Sequence, residues 1–152
     1  MSGSGENGAL EDVDGRPSGK RRVPVGEDDR QKLGRKGERI AVRYLKGKGY
    51  KVLHRNWGSS LGEIDIIARE GGKLCFVEVK TRSGKDFGGA LEAVGPAKQS
   101  QIVRAALGFL MQHKLPVQDC RFDVVAVQLN AEGEAECELV QDAFSAAAFY
   151  KY

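Results

Sequence analysis

Two hydrophobic periods alternate along the chain from about residue 28 onward. Leu33, Gly37, Ile40, Ala41, Tyr44 and Leu45 recur at helical spacing and predict a helix. Asp28 or Asp29 can cap its start, and Gly47-Lys48-Gly49 ends it. Gly34 and Gly37 lower the helix propensity, which implies close packing against a neighbour. Residues 50–55 alternate and predict a first strand, with Val52 on one face and Leu53 on the other. Residues 56–60 read as a loop. The apolar runs 64–68 and 74–79 are strand-length and rich in β-branched residues. Gly71-Gly72 between them supplies the positive φ of a hairpin turn.

The second half is simpler. Residues 83–89 are polar and glycine-rich and read as a mobile loop. Pro96 suits the first turn of a second helix, which runs to about His113 with Ile102, Ala105, Ala106, Phe109 and Leu110 as its apolar stripe. Residues 121–129 carry Val124, Val125, Ala126 and Val127, apolar on both faces, as a strand covered on both sides would be. Residues 136–141 predict an edge strand, and 143–150 a short closing helix. This order is helix, three strands, helix, strand. It predicts an α/β fold with a mixed central sheet flanked by helices, and a crossover that makes the third and fourth strands parallel.

Residues 1–30 show no period and are rich in Gly, Ser and charge, so they read as a disordered tail before a single domain at 31–152. The 152 residues suffice for a real core. No apolar run reaches membrane-spanning length and no signal-peptide pattern opens the chain, so a cytoplasmic location without membrane contact is expected. Cys75, Cys120 and Cys137 make no CxxC pair, and His54 and His113 do not cluster in sequence, so neither a zinc site nor a disulfide framework is indicated. The net charge of +3 is uneven: residues 1–30 hold seven acids and five bases, leaving nineteen bases against fourteen acids in the domain. That balance suits a nucleic-acid partner without establishing one.

The chemistry concentrates at residues 62–82. Asp65 interrupts a run of isoleucines, and Glu78 lies between Val77 and Val79. Glu78 and Lys80 share a strand face, and the hairpin can bring Asp65 beside them. Phe76 shares the face of Glu78 and Ile67 that of Asp65, so the face is not evenly polar. Two close buried carboxylates are costly, and a divalent cation relieves the cost. Mg²⁺ or Mn²⁺ held by Asp65 and Glu78, with the Val79 carbonyl as a third ligand, would lower the pKa of bound water and polarise a phosphoryl oxygen. Lys80 would assist the attacking water or stabilise charge at the phosphate. Glu38, at the margin of the first helix's stripe, reads from the helix alone as a surface glutamate, but it can reach over the sheet edge and join through a water. The plainer reading of Glu78 and Lys80 is an ordinary surface ion pair.

In detail the chain resembles the YraN-like family of bacterial proteins and the PD-(D/E)xK nuclease signature. The matching pieces are Gly34-Arg35-Lys36-Gly37-Glu38, Gly62-Glu63-Ile64-Asp65, Phe76-Val77-Glu78-Val79-Lys80-Thr81-Arg82, Lys98, and Arg121-Phe122-Asp123-Val124-Val125, in the family's order over about residues 32–130. Ile64 stands where a proline usually precedes the aspartate, a position that supplies no ligand. The resemblance implies a restriction-endonuclease-like core (αβββαβ), similar to that of archaeal Holliday junction resolvases. It would gather Glu38, Asp65, Glu78 and Lys80 in a Mg²⁺-dependent nuclease site, with Lys98 facing the site or a phosphate. Arg121 and Asp123 are expected to be an ion pair anchoring their strand.

Three functions follow as expectations. The first is a metal-dependent endonuclease hydrolysing phosphodiester bonds in DNA, with branched DNA as the analogy-based substrate and a two-fold homodimer if the branches are symmetric. The second is a non-catalytic nucleic-acid-binding or adaptor module on the same fold, binding phosphates through Arg35, Arg39, Arg82 and Lys98. The third is a protein whose sheet carries only ordinary ion pairs.

Overall fold

The protein is described from a computed structural model covering residues 28–84 and 94–149. The expected tail therefore lies outside the described residues except for its last three, and the expected loop at 83–89 lies outside them beyond Gly84. Helix α1 (Asp29–Gly47) precedes strands β1 (Lys51–Ser59), β2 (Gly62–Glu70) and β3 (Lys73–Ser83). Helix α2 (Pro96–His113), β4 (Cys120–Leu129) and β5 (Ala135–Phe144) complete the fold, with 3₁₀ turns at Val117–Asp119 and Ala146–Phe149. The five strands form one sheet in sequence order. Neighbours are antiparallel except β3 and β4, which are parallel as the intervening helix requires.

Each face of the sheet has its own core. Ile64, Ile67, Leu74, Phe76, Phe122 and Val124 pack against Ile102, Ala105, Ala106 and Phe109 of α2. Val52, Ile66, Ala68, Val77, Val125 and Val127 pack against Ala41, Val42 and Leu45 of α1. The continuous apolar run in β4 is thus explained, since Val124 faces α2 and Val125 faces α1. Phe76 is fully buried between Phe109 and Phe122, whose ring centroids lie 5.8 and 5.6 Å away. Burial of such a side chain is worth about 2–3 kcal/mol.

Local signals account for the ends. Asp28 is the N-cap of α1 and accepts from the Gln31 N–H at 2.9 Å, while the Gln31 side chain accepts from the Asp28 N–H. The helix therefore starts inside the segment read as tail, at Asp29. Pro96 opens α2. Gly71 (φ 59°) and Gly72 (φ 82°) close the β2–β3 hairpin with both central residues left-handed. Gly37 is the close approach that its position implied: a Cβ there would overlap the Thr81 hydroxyl of β3. Gly34 has open space around it and makes no such approach.

Three elements differ from expectation. Residues 56–59 belong to β1 rather than a loop, because Trp57, Gly58 and Ser59 pair with Ile64, Glu63 and Gly62. Strand β5 runs on to Phe144, whose ring stacks on Phe122 at 5.1 Å. It takes the start of the expected closing helix, leaving one 3₁₀ turn. The histidines do meet: the His54 and His113 rings lie 6.3 Å apart, both against Phe109. Tertiary packing joins what sequence distance kept apart.

Candidate active site

The sheet forks where the carboxylates sit. Pairing between β2 and β3 ends at Ile66 opposite Val77. Beyond that point β2 stays paired with β1 as far as Gly62, and β3 with β4 as far as Ser83. Asp65 is the first residue of the gap. Its carboxylate accepts the Val79 N–H at 2.8 Å, replacing a ladder bond by a side-chain bond. Strict alternation also breaks here, since Ile64 and Ile67 both join the α2-side core. Glu78 follows Phe76 on the α2 face of β3 and is 9% exposed. Lys80 continues that face and is exposed.

Both helices contribute. The Gly37 contact seats α1 on β3 and sets Glu38 beside the fork, where the charge of Asp65 acts on it. From the other side, Lys98 in the first turn of α2 places its Nζ 3.8 Å from Glu78 Oε2. Gly62 (φ 142°) allows β2 to start against α2, where a Cβ would come 3.3 Å from Gln101 O.

The electrostatics are those of acids short of positive charge. Burial, then the Asp65 charge, raises Glu78 to about 8, against the opposing pull of Lys98 and Lys80. Asp65 is also raised, chiefly by burial, although the Val79 N–H and a hydrogen bond from Glu78 work the other way. The two carboxyls share a hydrogen bond, and both hold a proton more tightly than an ordinary carboxyl does. Burial and the Asp65 charge raise Glu38 to about 7, opposed by an Asn56 side-chain hydrogen bond and by Arg55. Near neutrality this cluster holds protons that ordinary carboxyls would have released.

Of the expected site residues, Glu38, Asp65, Glu78, Lys80 and Lys98 gather at the fork. Arg82 lies two residues beyond Lys80 on the same strand face, half-buried. Arg35 is exposed on α1. Neither arginine is among the strongest charges acting on the three acids. Asn56 was missed. In the register that pairs Arg55 with Ile66 and Trp57 with Ile64, it falls opposite Asp65, and its φ of 54° turns the strand there. The residue type suited to left-handed backbone is the available signal, and in sequence it is indistinguishable from a loop residue.

A second buried acid behaves otherwise. Asp123 is fully buried on β4. It accepts from Arg121 Nε at 2.9 Å, from the Tyr50 hydroxyl at 2.7 Å and from the Asp142 N–H at 2.9 Å. Arg121 also donates to Glu70 at 2.9 Å, and Gln141 donates to Tyr50 at 2.9 Å. This is the expected anchoring pair, extended to six residues from three strands and the α1–β1 connection.

Comparison with known proteins matches residues 37–127 to the profile of "Uncharacterised protein family UPF0102". That span starts at the Gly37 contact and includes Glu38, Asp65, Glu78, Lys80, Arg82 and Lys98, while Arg35 lies outside it. The chain belongs to this family. A UPF0102 protein of Geotalea daltonii is 48% identical over 122 residues, covering 80% of this chain and 96% of the relative. One of Chlorobium phaeobacteroides is 53% identical over 95 residues, 62% of this chain and 75% of the relative. A third, from Symbiobacterium thermophilum, is 43% identical over 116 residues, 76% of this chain and 98% of the relative. The YraN-like resemblance of the motifs is thereby confirmed at family level. No helix among the described residues is long and apolar enough to cross a membrane.

Proposed function

We propose that this UPF0102 protein is a metal-dependent nuclease that hydrolyses phosphodiester bonds in DNA at the β2–β3 fork. The observation that carries the reading is the Asp65–Glu78 pair. Two carboxyls set side by side, with raised proton affinity and one lysine at 3.8 Å, are a poor structural device and a good receptor for a hard dication. The donor chemistry fits Mg²⁺ or Mn²⁺, which take carboxylate oxygens and keep several waters. Among the described residues no three His, Cys, Asp or Glu side chains converge as a closed cage, and a Mg²⁺ site of this class uses only one or two carboxylates.

Asp65 and Glu78 would hold the ion, which when bound supplies Lewis acidity and a more acidic water. The remaining steps belong to the chain. Asp65 and Glu78 hold protons more tightly than ordinary carboxyls, so occupancy by a cation would be expected to compete with protons at this pair. Lys80, exposed beside Glu78, orients the attacking water and faces the phosphate. Lys98 neutralises charge from the opposite helix. Glu38, poised near 7, accepts a proton at neutral pH, and Asn56 holds it in place. Arg82 lies further along the same face and suits a flanking phosphate.

The test is a cleavage panel of labelled single strands, duplexes, flaps and four-way junctions in Mn²⁺ or Mg²⁺. The expected result is cleavage that EDTA abolishes and that Asp65→Asn and Glu78→Gln each reduce by at least about 10²-fold. Cleavage surviving in both variants would overturn the assignment. Bound but uncut DNA across the panel would instead favour a non-catalytic adaptor.

A further inference from the structure

The outer face of α1 is not used by the site. Lys32, Arg35, Lys36, Arg39, Arg43 and Lys46 are all exposed. At about 100° per residue they fall within roughly 100° of arc, opposite the buried Gly37, Ala41 and Leu45. They extend about 21 Å along the helix at ~1.5 Å per residue. The only acid after Asp29 in this helix is Glu38, which points to the fork side of the stripe. Lys32 with Lys36, Arg35 with Arg39, and Arg39 with Arg43 are like charges four apart, an arrangement that destabilises a helix. A face that only needed solubility would intersperse acids.

We infer that this stripe is a docking track for the phosphate backbone of double-stranded DNA, running along α1 into the fork. The inference rests on the nucleic-acid part of the proposed function. Three features select the duplex. The stripe lies on one uninterrupted helix, and a duplex carries one charge per ~1.7 Å of axis, so about twelve phosphates lie within its length. No exposed aromatic interrupts it, and single-strand binders need such stacking platforms. The apolar face of α1 is spent on the core, so the helix has nothing to insert into a lipid interface. The stripe also borders the catalytic cluster, since Arg35 lies about 60° around the helix from Glu38.

The test measures binding of the full chain to a labelled duplex, the matching single strand and anionic phospholipid vesicles, across a range of salt. The stripe triple Lys36→Gln, Arg39→Gln, Arg43→Gln is compared with the charge-matched triple Lys51→Gln, Arg69→Gln, Arg104→Gln, whose residues are also exposed. The expected stripe triple binds duplex ten-fold or more weakly at ~0.1 M salt, with a log–log salt slope shallower by about 2.7 at ~0.9 per lost contact. The control triple keeps the wild-type slope, and circular dichroism shows both triples folded. Equal weakening in the two triples, an unchanged slope, or tighter binding to the single strand or to vesicles would overturn the track. Duplex binding that follows the stripe, with no cleavage by any version, supports the track and sinks only the nuclease reading.

Discussion

Two buried acidic centres lie on the same sheet and are built by opposite rules. Asp123 takes three donors, among them the Arg121 guanidinium, and sits in a network that ties β2, β4, β5 and the α1–β1 connection together. Asp65 and Glu78 lie where β2 and β3 part, with one backbone N–H, one distant lysine and each other. The first centre spends its charge on holding strands. The second sets two acids together with little positive charge beside them, which raises their proton affinity, is unfavourable for stability and is useful for capturing a cation. The difference separates an anchor from a candidate site, although both contain acid and base two residues apart on a strand.

The largest contrast should come from removing an acid at each centre. Asp123→Ala leaves Arg121 and Tyr50 facing a hole and should cost about 3–5 kcal/mol in denaturant unfolding. A cost below about 1 kcal/mol would erase the anchor side of the contrast.

Glu78→Gln should act in the other direction. The folded-state pKa of Glu78 is raised from 4.5 to about 8. Its contribution is therefore fully present below about pH 4.5 and lost as pH rises through about 8. The neutral variant escapes that loss and should be more stable than wild type by about 2 kcal/mol near pH 9, with equal stability near pH 4. Mn²⁺ should stabilise the wild type at alkaline pH and leave Glu78→Gln nearly unmoved. A variant less stable than wild type at every pH would make Glu78 a structural residue like Asp123.

A smaller effect is expected at the seat of α1. Gly37→Ala gains about 1 kcal/mol of helix propensity but forces a Cβ onto Thr81, for a net loss of about 1–2 kcal/mol. Because Glu38 moves with the helix, cleavage should fall further than stability, and Thr81→Ala should partly relieve both. Asn56→Ala is the mildest change. Loss of its hydrogen bond should push the Glu38 pKa further up and shift the alkaline-going limb of the cleavage pH profile upward, with a rate loss of about three-fold near neutrality. An unmoved profile would remove Asn56 from the site.

Much of this was legible because it is local. The helical stripe, the Asp28 cap, the Gly71-Gly72 turn, Pro96 and the two-faced valine run each carry their signal within a few residues, and the α/β class with one parallel pair follows from their order. Asp65, Glu78 and Lys80 stood out because charge is rare inside apolar strands. Residues 56–59 were misread because their strand state comes from pairing with Gly62–Ile64, and Asn56 has the composition of a turn. Residues 143–144 were misread because a short alanine-rich run favours helix, whereas stacking of Phe144 on Phe122 keeps them in the sheet.

The sequence by itself determined the elements apart from the ends of β1 and β5, the two covered faces, family membership and the acids out of place in their strands, since periodicity and side-chain chemistry are written residue by residue. Only the tertiary structure decided that β2 and β3 part at Asp65, that Glu38 and Lys98 arrive there from opposite faces, and that Asp123 meets a guanidinium and two further donors while Glu78 shares its hydrogen bond with a second acid. Those outcomes depend on strand register, on helix seating at Gly37 and on which donors lie within ångströms of each carboxylate, and none of these is a property of any one stretch of chain.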